Sequence, residues 1–145
     1  MAIRPEFASR LLSGEKRVEF RRRSPTRVLT HIAIYATSPV QAVVGVIEIA
    51  RIERDSPARL WGKFSDVGGI AKGDFFAYFD GVTEGFAYVV RKVWECSPPR
   101  QLGRGGLPKT PPQAFQYLDV TTLDGLMRVA ATNIKERRSA NMPAP

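Results

Sequence analysis

Apolar and polar residues alternate with a period that changes several times along the chain, and each change marks an element. Ala2 and Ile3 form a short apolar piece, after which Pro5 stands at a first helical position and Phe7 and Leu11 lie one helical turn apart. Gly14 falls where a left-handed helix stop is expected. From Lys16 to Arg23 the period drops to two, with Val18 and Phe20 on one face and Arg17, Glu19, Arg21 and Arg23 on the other. That pattern predicts a half-buried strand with a charged side.

Two β-rich runs follow, Val28 to Ala36 and Ala42 to Ile52, separated by Thr37-Ser38-Pro39. The second is almost continuously apolar and belongs at the centre of a sheet, with Gly45 marking a bend or bulge. Pro57 to Trp61 opens a short helix, and Asp74 to Phe79 reads as another, with Phe75 and Phe79 at i, i+4 spacing, a helix face packed into the core in preference to a base-stacking platform. Gly85 to Cys96 predicts a further strand. Ser97 to Pro112 predicts a loop, mobile or poorly ordered, whose Arg100, Arg104 and Lys109 suit phosphate contact as readily as plain solvation. Gln113 to Leu118 predicts a last strand, and residues 121–132 a helix with Leu123, Leu126, Met127 and Ala130 as its stripe. Residues 133–145 have no apolar pattern and are expected to form a disordered tail.

The 145 residues suit one core, and at least five strands with few helices make the fold class α+β, a small mixed barrel rather than a doubly wound sheet. Charge narrows the partners. Lys and Arg number 22 against 14 Asp and Glu, a net of +8, and 16 of the 22 are Arg, whose planar fork suits phosphate and base edges. Residues 1–30 hold eight of these cations and only three Glu, so the excess is concentrated there. RNA or a nucleotide is the expected partner, with DNA as an alternative that draws on charge alone.

No apolar run reaches membrane-spanning length, and the beginning of the sequence lacks the apolar core of a signal peptide, so a cytoplasmic protein with no membrane association is expected. The single cysteine, Cys96, excludes an internal disulfide and a cysteine-cluster zinc site, and it reads as a packing residue. The single histidine, His31, lacks local ligand spacing, so neither a metal nor a cofactor is expected.

One segment gathers a turn glycine, a lysine, a glutamate and an arginine: Gly14-Glu15-Lys16-Arg17-Val18-Glu19-Phe20-Arg21. It resembles the ASCH domain signature, Gly-x-Lys-x-x-Glu-x-Arg, and the surrounding Pro5-Glu6-Phe7, Ile34 to Val40, Gly68-Gly69-Ile70, Phe75 to Phe79 and Pro111 to Phe115 are similar to segments of the family's bacterial and archaeal branch. The resemblance covers residues 1–120. It implies a β-barrel related to the PUA fold, with a cleft between the barrel and the helix before the signature.

The resemblance further implies RNA or nucleotide binding, including modified nucleotides, with Lys16, Glu19 and Arg21 lining the cleft. Tyr35, Thr37 and Ser38 are added where a strand runs into a turn, and Arg22, Arg23 and Arg27 are expected to hold the phosphate backbone. In a regular strand Glu19 and Arg21 share a face that Lys16 does not, so Lys16 must lie in the turn after Gly14 for the three to meet. The alternative is a metal-independent hydrolase acting on N-acetylated cytidine or on RNA, with Lys16 as base and Glu19 as acid partner. In the amidohydrolase branch a threonine stands where this chain has Glu19 and the carboxylate comes from farther along; Glu48, in a central strand, is the candidate here. The structural alternative is a surface strand in which Glu19 pairs with neighbouring arginines.

Overall fold

The computed structural model describes residues 1–131. Its elements run β1 (Ala2–Ile3), α1 (Pro5–Ser13), β2 (Val18–Arg21), β3 (His31–Ala36), β4 (Ala42–Asp55), α2 (Pro57–Phe64), α3 (Lys72–Tyr78), β5 (Gly85–Arg100) and α4 (Val120–Ala131). The five strands form one sheet in the order β1-β3-β4-β5-β2, parallel between β1 and β3 and antiparallel elsewhere. The fold is α+β, but the sheet is not a closed barrel: β1 and β2 are its two edges.

Local chemistry explains the helix that precedes the signature. Pro5 occupies the first turn of α1 with Glu6 beside it, Arg10 lies in the last turn, and Gly14 ends the helix at φ 84°, its N–H donating to the Leu11 carbonyl. Gly45 lets this helix lie close to the sheet, since a Cβ there would sit 2.5 Å from the Trp94 carbonyl oxygen and 2.6 Å from Leu12 Cδ2. The β4–β5 register shifts beside it, as a bulge requires.

Both faces of the sheet are covered. On one, Ala8 and Leu11 of α1 pack with Ile34, Ile47, Tyr88 and Val90. On the other, Val18 and Phe20 of β2 meet Leu60 and Phe64 of α2 and Phe75 and Phe79, with the Phe20 and Phe75 rings edge to face at 4.8 Å. Phe75 and Phe79 are thus core, while Phe76 and Tyr78 of the same run are exposed. A third cluster joins Tyr35, Val43, Val46 and Cys96 to Leu107 and Leu126; burial pushes the Cys96 thiol up from its ordinary pKa, in keeping with a packing role.

Three expected elements differ. The strand expected over Lys16–Arg23 contracts to β2, because Lys16 N donates to the Arg10 carbonyl, Arg17 N to the Val67 carbonyl, and β5 begins at Gly85, one residue beyond the Arg21–Phe86 pair. Ser97–Arg100, expected as loop, continues β5; its two prolines fall between the Glu95 and Arg100 pairings, where the register shifts and no ladder N–H is required. Gln113–Leu118 is not a strand. Its bond to the sheet runs from Ala2 N to the Ala114 carbonyl, and β1 is too short to template more. The expected tail at 133–145 lies outside the described residues.

Candidate functional site

The turn after Gly14 places Lys16 outside the strand, and β2 then aims Glu19 and Arg21 from one face. Lys16 is only 2% exposed, and its ammonium donates to the Gly68 carbonyl at 2.6 Å and lies 3.8 Å from Glu19 Oε1. The Phe7 and Phe20 rings flank the cation, with centroids 5.4 and 5.2 Å away. Burial lowers the Lys16 pKa, Glu19 opposes that, and the Arg21 and Arg10 charges add to the lowering.

Glu19 Oε1 also accepts from Phe20 N at 3.0 Å. Arg21 Nη2 donates to the Ala2 carbonyl at 2.6 Å, so its guanidinium bridges the two sheet edges, while Arg21 Nε is buried with no protein acceptor among the described residues. Arg10 Nη1 holds the neighbouring Gly69 carbonyl at 2.7 Å. Two adjacent glycine carbonyls therefore fasten two cations.

These groups line an open cavity of about 540 Å³. Arg4, Glu6 and Phe7 come from the β1–α1 side, Asp74 and Tyr78 from α3, and Thr37 and Gln113 from the connections after β3 and before α4. Three cations, Arg4, Lys16 and Arg21, thus stand with three carboxylates, Glu6, Glu19 and Asp74. The wall offers donors and acceptors rather than a uniformly positive surface. Among the described residues no group of three or more His, Cys, Asp or Glu is placed to hold a metal ion.

Of the residues named from sequence, Lys16, Glu19, Arg21 and Thr37 meet at this cavity. Tyr35 does not: it is buried in the third core cluster and lines a separate small apolar cavity under residues 102–118. Ser38 is exposed and outside the lining. Arg22, Arg23 and Arg27 are exposed on the segment after β2; Arg22 reaches the Asp80 carbonyl at 3.3 Å, and Arg27 stacks 4.3 Å from the Tyr117 ring centroid. Glu48 sits opposite His31 and Lys92 in the middle of the sheet, 4.0 Å from Arg91, and is not part of the cavity.

No protein-family model matches the chain. It is 32% identical over 124 residues to an ASCH domain-containing ribonuclease of Zymomonas mobilis, a match covering 81% of this chain and 82% of that protein. The chain belongs to the ASCH domain family. The crystal structure of the Z. mobilis ASCH protein superposes with a TM-score of 0.78 at 30% identity, covering 89% of this chain and 92% of that one. The chain is also 31% identical over 104 residues to the large ribosomal subunit protein uL22 of Ureaplasma parvum; the match takes in 72% of this chain, which spans about a third (33%) of that relative's length.

In this ASCH domain the signature supplies one wall of the cavity, and the opposite wall went unread in the sequence. Glu6 and Phe7 sit in the first turn of α1, inside a segment similar to the family's, yet nothing in their spacing marks them as site residues. Asp74 was hidden by the aromatic run that follows it, and Gln113 by two prolines and an apparent strand. No helix among the described residues is long and apolar enough to cross a membrane.

Proposed function

We propose that this ASCH domain binds RNA, with one nucleotide entering the cavity at Lys16, Glu19 and Arg21. The reading is carried by the composition of the wall: a buried Arg21 Nε without a protein acceptor stands among three cations and three carboxylates. A phosphate offers only acceptors and is repelled by carboxylates, whereas a base edge presents donors and acceptors side by side. The cavity volume of about 540 Å³ falls in the range of small-ligand sites. The naming of the Z. mobilis relative as a ribonuclease supports RNA as the polymer. Arg22, Arg23 and Arg27 serve the backbone outside the cavity, and the open seam between β1 and β2 is read as the mouth of a PUA-like barrel.

Titration of labelled single-stranded RNA at several salt concentrations tests this. Arg21→Ala should weaken binding about tenfold to a hundredfold, as expected for losing a hydrogen bond from a charged donor. Unchanged affinity in a variant with native circular dichroism refutes the site, and preference for duplex DNA refutes the polymer.

Cleavage is the second reading, favoured by a desolvated Lys16 beside Glu19. Lys16 then acts as base. Product formation from RNA or from N-acetylated cytidine without added metal, lost in a folded Lys16→Ala variant, distinguishes turnover from binding.

A further inference from the structure

We infer that the α4 side of the molecule carries a second, wholly cationic site for phosphate oxyanions, built on Arg100 and Arg104, and that RNA held at Lys16 reaches it. The inference rests on the RNA reading above. A cavity of about 380 Å³ opens between the loop leaving β5 and helix α4, with Arg100 and Arg104 in its wall and Gly125 and Leu126 of α4 opposite them. Among the described residues no carboxylate lines it, in contrast to the mixed wall around Lys16. Neither guanidinium has an ion-pair or hydrogen-bond partner among the described residues. Two planar forks with no stacking ring beside them among the described residues suit phosphate rather than a base.

The loop is built to hold them. Gly103 N donates to the Pro108 carbonyl and Leu107 N to the Arg104 carbonyl, both at 3.0 Å, while Leu107 is buried with Leu126 in the third core cluster. Gly106, at φ +83°, seats the loop on α4 so closely that a Cβ would lie 2.4 Å from Thr122 Oγ1. Gly125 does the opposite: a Cβ there meets nothing within 4 Å, so the helix leaves the floor open.

The two sites are linked across the sheet. Arg100 pairs with Val43, Val43 with Tyr35 and Tyr35 with Ala2, which lines the Lys16 cavity, so three strand spacings, about 14 Å, separate the two sites across the sheet. A mononucleotide cannot span that; a single strand of about 20 nucleotides, roughly 70 Å at stacked spacing, can.

The experiment compares the wild type with Arg100→Ala/Arg104→Ala and with Gly125→Glu, which adds a carboxylate to the floor at a helical position that tolerates it. The probes are a mononucleotide and a 20-nucleotide strand of the same base, with inorganic phosphate and polyglutamate as competitors. Both variants should lose about tenfold or more in affinity for the long strand. The double variant should also flatten the dependence of log K on log salt by about 1.4, two phosphates at 0.7 each for single strands, with mononucleotide binding unchanged. Unchanged long-strand affinity and slope in the double variant overturns the proposal. So does competition by polyglutamate equal to that of RNA, which points to an acidic polypeptide, or by millimolar inorganic phosphate alone, which points to a free anion. Arg21→Ala with the mononucleotide tests the Lys16 cavity separately, so failure of either site is recognisable on its own.

Discussion

Substituting Gly69 by alanine should disable the candidate site without touching any group that meets the ligand. Gly69 adopts φ +60°, and its missing side chain leaves the space where the Lys16 stem lies, since a Cβ would sit 2.7 Å from Lys16 Cβ. Placing an L-residue in the left-handed region costs about 1–2 kcal/mol. Forcing a Cβ into Lys16 Cβ, which is anchored to the backbone and cannot swing away, adds roughly 1–3 kcal/mol of overpacking. The sum is about 2–5 kcal/mol, which lowers the melting temperature by roughly 5–15 °C in a chain of this length. Gly81 supplies the control. It has φ +79° but open space around its Cβ, so Gly81→Ala carries only the backbone term. Denaturant unfolding of both variants isolates the overlap as their difference. RNA titration then asks whether moving Lys16, and with it the 2.6 Å bond to the Gly68 carbonyl, weakens binding. Equal destabilisation in the two variants together with wild-type binding by Gly69→Ala would refute the argument that these glycines position Lys16.

Two further outcomes follow from burial. Desolvation holds the Lys16 pKa below 10.5 in the folded protein, so over the interval from that lowered value up to 10.5 the unfolded chain binds the extra proton and stability rises with pH. Urea unfolding across alkaline pH should show this rise in the wild type and not in Lys16→Met; parallel curves would sink the assignment. Phe75 is fully buried against Phe20, Phe79 and Trp61, so Phe75→Ala should cost about 3–5 kcal/mol, read by calorimetry, and a loss under 1 kcal/mol would mean that the aromatic cluster is not the core of that face.

Much of the fold was legible because local rules and tertiary packing agree. Pro5 and Gly14 bound α1, Val18 and Phe20 alternate with Glu19 and Arg21, and the parity of Lys16 already required a turn after Gly14, where it lies. Where the reading missed, partner geometry outweighed pattern. Gln113–Leu118 has the residues of a strand, but the edge beside it is two residues long. Pro98 and Pro99 look like loop residues, but a bulge opposite β4 absorbs them. The site was half legible for a related reason. One wall is contiguous in sequence and carries the family signature, while Glu6, Asp74 and Gln113 come together only when α1, α3 and the segment before α4 meet over the cavity. The clustering of positive charge in residues 1–30 did not foretell a mixed wall, because the neutralising Asp74 arrives from elsewhere in the chain.

The guanidinium of Arg21 has two employments that compete for the same five N–H donors. Through Nη2 it clasps the chain's first strand, which is two residues long and pairs with β3, to the far edge of the sheet. The same side chain also lines the cavity. Whatever pulls this side chain toward the cavity loosens the clasp, and whatever tightens the clasp withholds a donor from the guest. The first strand, whose Ala2 and Ile3 themselves line the cavity, is therefore wired to the site through this side chain as well.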